Sequence, residues 1–165
     1  MISVLSMYSV GIGPSSSHTL GPMRIGGMFL EALRRADLLG RVDHLRIDLY
    51  GSLSLTGKGH QTDTAAILGL AGENPEQVDV DAVPAFLARI RRESSLALGN
   101  ERPVKFQPDL DVVFHQTFLP LHENGMTLTA FAGEEPLLHK TYYSVGGGVV
   151  EEPETFGQTR NAAHV

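Results

Sequence analysis

The sequence predicts an α+β domain, a small and mostly antiparallel sheet with helices on one face. Helical periodicity fills the first half of the chain, β-like runs crowd the second half, and an Asn-Gly turn dipeptide between two of those runs favours antiparallel pairing. At 165 residues, 42% of them hydrophobic, the chain fits one domain with a substantial core.

The elements follow in order. Ile25, Met28, Phe29, Ala32, Leu33 and Ala36 form one helical stripe, with Arg24, Glu31, Arg34 and Arg35 opposite and Gly40 as the expected stop. Pro22 fits this helix at its first position if Gly21 caps, and costs a hydrogen bond if Ser17 caps. In "HLRIDLYG", Leu45, Ile47 and Leu49 alternate with charged residues, which predicts a strand with one wet face. A Gly/Ser/Thr loop follows, then a short helix over Thr62–Leu70 that closes at Gly72. Val80–Leu98 reads as a longer helix, with Pro84 in its first turns and Val83, Phe86, Leu87 and Ile90 on one side. "DLDVVFHQ", "GMTLTAFAG" and "LLHKTYYSVGGG" read as strands, the first two joined as a hairpin at Asn124–Gly125. From Glu151 onward periodicity is lost, and residues 151–165 read as the start of a linker behind a domain spanning 1–150.

Composition narrows the partners. Thirteen basic residues against nineteen acidic ones give a formal charge of −6, and the densest arginine spots carry no interleaved aromatics, so nucleic acid is a poor partner. No apolar run approaches a membrane span and the N-terminus lacks a basic n-region, so neither membrane insertion nor export is expected and a cytoplasmic location is the default. With no cysteine, the chain can offer no disulfide, thiolate nucleophile or Cys-ligated metal site of its own. No histidine pair has ligand spacing on one helix, so no metal site is expected within this chain.

Two clusters stand out. "GIGPSSSHT" places Ser15, Ser16, Ser17 and His18 behind a Gly-Pro turn and ahead of a helix. N-capping needs only one such hydroxyl; an anion pocket of hydroxyls and backbone N–H groups uses all of them. Both readings stay open on residues alone. "TGKGHQTD" brings His60, Thr62 and Asp63 to a helix start, where Asp63 serves as a cap or the group serves a ligand, and His60 is either a solvated loop residue or a general base. A dinucleotide reading of "GIGPSS" fails for want of a third glycine, and a P-loop reading of "GSLSLTGKGH" fails because its glycine spacing is one residue too long.

Taken in order, "GIGPSSSHTLGPMR", "GSLSLTGKGHQTD", "HENGM" and "YYSVGGG" resemble the β domain of the bacterial iron–sulfur-dependent L-serine dehydratases, or L-serine ammonia-lyases, from about residue 2 to about residue 150. Gln61 departs from the small residue expected there. The resemblance implies a lyase of amino-acid catabolism and gluconeogenesis that converts L-serine to pyruvate and ammonia. It implies a [4Fe-4S] cluster on a separate α domain, carried by the same polypeptide or another subunit, a homodimeric assembly, and a fold similar to the allosteric substrate-binding domain of some 3-phosphoglycerate dehydrogenases. This chain alone is then expected to be inactive.

On that reading His60 and His18 are the candidate bases for the Cα proton. Ser15, Ser16 and Ser17 hold the substrate, with Thr62, Asp63, Asn124, Ser144 and the Gly146 and Gly147 N–H groups completing the binding set. His44, His115, His139 and His164 lie outside the motifs and read as structural or solvated, while His122 borders Asn124. The alternative function is a regulatory module that senses serine or another small carboxylate.

Overall fold

The computed structural model describes residues 17–56 and 62–157. Helix α1 spans Leu20–Arg35 and buries Ile25, Phe29 and Leu33 completely, while Met28, at the edge of the expected stripe, stays exposed. Its cap is neither Gly21 nor Ser17 but Thr19, whose carbonyl accepts the first helical bond from Met23 N–H at 3.0 Å. Pro22 therefore stands just before the first bonded amide and costs the helix nothing. The helix stops before Gly40: Asp37 adopts the left-handed conformation (φ 57°) and Leu38 N–H returns to Leu33 O at 2.9 Å.

Strand β1 runs over His44–Tyr50. The expected loop behind it is in part a five-residue helix, α2, Gly51–Leu55. Helix α3, Thr62–Leu70, has nearly all its residues buried and lies against α1. Gly26 and Gly69 make that crossing possible: a Cβ on Gly26 would run into the Ala66 carbonyl, and one on Gly69 into the Met23 carbonyl.

The long helix expected over Val80–Leu98 is two structures. A 3-10 turn over Val80–Ala82 leads into α4, Val83–Glu93; Ser94 then turns left-handed (φ 52°), and β2, Ser95–Leu98, begins. Leu96 and Leu98 bury on alternate positions and pair with β3, Arg102–Lys105, in a hairpin turned by Gly99 and Asn100, both at positive φ. Helix period and strand period coincide over so short an apolar segment, so spacing alone could not separate them.

"DLDVVFHQ" becomes a helical turn, α5, Pro108–Asp111, and a three-residue strand, β4, Val112–Phe114. Strands β5, Asn124–Ala132, β6, Glu135–Gly146, and β7, Val149–Glu151, complete the sheet. Along the sheet the order is β2-β3-β1-β5-β6-β7, with β4 sharing the β1 edge used by β3. Four of the six pairings are antiparallel; β3 and β4 meet β1 in parallel.

The hairpin expected between the β4 and β5 segments is therefore absent. Asn124 and Gly125 are strand residues, and the connection before them wraps the end of β1, where Thr117 O accepts from Gly51 N–H and Glu123 O from Ser52 N–H, both at 2.8 Å. The hairpin that does form joins β5 to β6 across Gly133 and Glu134.

One core joins the sheet to the long helices. Leu45, Ile47 and Leu49 of β1, Met126, Leu128 and Ala130 of β5 and Tyr142 of β6 meet α1, α3 and Ile90 of α4. The alternate residues form a polar face, on which Asp48 accepts from Arg46 and His115 (2.7 Å), His44 bonds Asp111 (2.6 Å), and His139 bonds Thr129 (2.8 Å). The hydrogen bond to Asp48 holds the Arg46 guanidinium above its ordinary range. No helix among the described residues is long and apolar enough to cross a membrane.

Candidate functional site

The site lies where β1 ends, β5 begins and β6 ends. Gly51 bridges Asn124 and Gly125 pairs with Tyr143, so one further step in that register sets Asn124 beside Ser144. Strand alternation turns both toward the helix-covered face, since Met126 and Tyr142, two residues away, belong to the core. On that face stands the Ser17–His18 turn that opens α1.

Three hydroxyls from three elements fasten the turn. Ser144 Oγ donates to Ser17 O at 2.7 Å, and Thr62 Oγ1 donates to His18 O at 2.9 Å. Both hydroxyls are 0% exposed, and each commits its proton to a carbonyl. The third contact is to the ring: Ser52 of α2 sets its Oγ 3.1 Å and its carbonyl O 3.3 Å from His18 Nε2. On the other side, Ser17 Oγ lies 2.9 Å from His18 Nδ1. Both ring nitrogens thus have hydroxyl partners.

Of the residues expected to form the site, the structure gathers Ser17, His18, Thr62 and Ser144 directly, with Asn124 adjoining Ser144. Asp63 follows Thr62 in the first turn of α3, where a carboxylate suits the helix dipole. Gly146 and Gly147 carry the chain away from Ser144 toward β7. Beyond them Gly148 sits so close to α1 that a Cβ would strike Leu20 and Arg24, and its carbonyl accepts from Arg24 Nη1 at 2.8 Å. Ser15, Ser16 and His60 lie outside the described residues.

Asn124 is 5% exposed, and its Oδ1 finds no hydrogen-bond partner among the described residues. Thr19 Oγ1, also buried, shares that condition. A buried polar atom without a partner is costly unless something occupies it. Asn124 N–H donates to His122 Nδ1 at 3.0 Å, which leaves the proton of a neutral His122 on Nε2. Ser52 is the member that sequence reasoning missed. Its loop composition gave no signal, and its importance comes from a contact 34 residues back along the chain.

No group of three His, Cys, Asp or Glu able to hold a metal ion occurs among the described residues. With no cysteine in the chain, its residues do not fit an iron–sulfur cluster. A separate open groove of about 880 Å³ runs along α1 past Arg24, Glu31, Arg35, Lys140 and Tyr142. Burial there pushes the Tyr142 hydroxyl well above its usual 10.0.

A sequence profile of the family described as serine dehydratase beta chain matches residues 3–155. The chain is 51% identical over 158 residues to the L-serine dehydratase TdcG of Escherichia coli, covering 95% of this chain and 35% of that protein. Against the L-serine dehydratase of Haemophilus influenzae it is 45% identical over 160 residues, covering 96% of this chain and 35% of the relative. The Streptomyces coelicolor L-serine dehydratase is 46% identical over 161 residues, with the same coverage. The chain thus spans about a third of the length of these relatives.

Proposed function

The chain belongs to the serine dehydratase beta chain family, and from that premise we propose that it supplies the substrate-holding and proton-moving part of an L-serine dehydratase. The observation that supports this best is the Ser17–His18 turn, fastened by hydroxyls of α2, α3 and β6 at one end of the sheet. A surface loop needs no such fixing, whereas a group that transfers a proton must be held within a fraction of an ångström.

Converting L-serine to pyruvate and ammonia requires removal of a weakly acidic Cα proton and departure of hydroxide. His60 takes the proton, with His18 as the second candidate base. The serine cluster of Ser15, Ser16 and Ser17 receives the carboxylate, and Asn124 Oδ1, a buried acceptor, suits the ammonium. Ser144 and Thr62 act one layer back: their protons are committed to the turn, so they position it. Hydroxide departure needs an electrophile that this chain does not hold. We infer that this electrophile is a [4Fe-4S] cluster on an α domain outside this chain, in a cytoplasmic and dimeric enzyme, a reading that the family resemblance supports.

The test is pyruvate formation from L-serine. This chain, purified and reconstituted anaerobically with iron and sulfide, should produce none. Joined to an α domain of a relative that it resembles, it should produce pyruvate, and His60→Asn should lower that activity by about 10²–10⁴-fold. Sustained turnover by this chain alone, or none by the joined protein with its cluster loaded, would refute the proposal.

A further inference from the structure

We propose that Ser52 is a positioning residue for His18, holding the imidazole with its proton on Nε2 and its lone pair on Nδ1. The inference rests on the functional reading above for its catalytic consequence, but not for the geometry. Nε2 faces two oxygens of one residue, Ser52 Oγ at 3.1 Å and Ser52 O at 3.3 Å. A carbonyl oxygen can only accept. A bare Nε2 would set its lone pair against that oxygen, whereas a protonated Nε2 meets favourable charge from both.

The carbonyl selects the tautomer and the hydroxyl holds the ring in place. Ser52 O also accepts from Thr56 N–H at 3.2 Å and from Thr56 Oγ1 at 2.7 Å. Ser52 Oγ, the nearer atom, is the partner on which the ring orientation depends. With the proton on Nε2, Nδ1 accepts from Ser17 Oγ at 2.9 Å. The sequence Ser17 hydroxyl, imidazole, Ser52 then has the logic of a proton acceptor fixed from behind by an orienting group.

One consequence follows for the reaction: with Nε2 protonated, any proton that His18 accepts arrives at Nδ1, on the Ser17 side of the ring. Ser52 itself is anchored from another direction, because its N–H donates to Glu123 O at 2.8 Å, directly before Asn124. The same residue thus links the His18 ring to the segment that carries the unpartnered Asn124 Oδ1.

Nitrogen-15 NMR of the histidine-labelled chain reads the tautomer without any turnover. We expect His18 with Nε2 protonated and Nδ1 bare, and the same tautomer in Ser52→Ala, which keeps the carbonyl. In the joined enzyme Ser52→Ala should lower kcat about tenfold, leave KM within about twofold, and shift the acidic limb of the pH profile, with Ser52→Thr restoring all three. A wild-type proton on Nδ1 overturns the inference, and so does an unchanged kcat in Ser52→Ala. A chain whose tautomer behaves as expected but whose joined form makes no pyruvate refutes the dehydratase reading and leaves the tautomer assignment standing.

Discussion

Replacing Ser144 with alanine removes the donor that Ser17 O receives at a position shut off from water. The carbonyl then stays buried without its hydroxyl partner, and the loss should be about 1–3 kcal/mol, seen as a lower denaturant midpoint with an unchanged slope. His60→Asn acts on chemistry instead. In the joined enzyme it should lower kcat by about 10²–10⁴-fold while changing KM little, and Ser16→Ala should raise KM more than it lowers kcat. Tyr142 sets a limit at high pH. Its hydroxyl is raised by burial in the fold and is ordinary in the unfolded chain, so the unfolded state releases the proton first. The stability it contributes is complete below about pH 10 and declines as pH rises beyond it, which thermal melts at pH 9, 10 and 11 would follow. The Ser17–His18 turn was legible at this scale because it closes a run of hydroxyl residues directly ahead of a helix. Ser52 was not, since a serine in a Gly/Ser/Thr segment has no periodicity to set it apart.

Between α1 and α3 the decisive residues are glycines, and two neighbours should respond oppositely to the same change. Gly26→Ala drives a methyl group into the Ala66 carbonyl and should cost about 1–3 kcal/mol. Gly27→Ala meets nothing within 4 Å and replaces a poor helix former, so it should be neutral or stabilise by up to about 1 kcal/mol. Chemical denaturation of both variants checks the pair. Helix α1 and strand β1 were legible because each repeats its period several times. The α4-to-β2 boundary was not, because Ser94 enters the left-handed region with no glycine to signal it. Strand β4 was misassigned a partner for a different reason. Its three residues are held by β1 and bracketed by two imidazole–carboxylate pairs, His44 with Asp111 and Asp48 with His115, each spanning 67 positions of sequence. Such spans leave no local trace.

For the whole molecule, β1 lies inside the sheet, with β3 and β4 on one edge and β5 on the other. Its amides should exchange with deuterium only when the domain unfolds as a unit, whereas those of the edge strand β7 exchange faster by local opening; mass spectrometry of exchanged peptides distinguishes the two. The layer arrangement was legible from the separation of helical and extended periodicities. The strand order was not, because it depends on which segments meet across long stretches of chain.

That central placement has a consequence for synthesis. His44 pairs with Lys105, and Tyr50 pairs with Gly125, so every partner of β1 is made long after β1 itself. At ordinary translation rates the delay before even the nearest partner is made is roughly 3–12 s. During it the nascent chain carries a strand with Leu45, Ile47 and Leu49 on one side and both hydrogen-bonding edges unfilled. Helix α1, already complete when β1 emerges, is the first at hand to cover that apolar side, and α3 joins it before β3 is made. The amphipathic helix ahead of β1 therefore shelters the strand on the ribosome before the sheet exists to receive it.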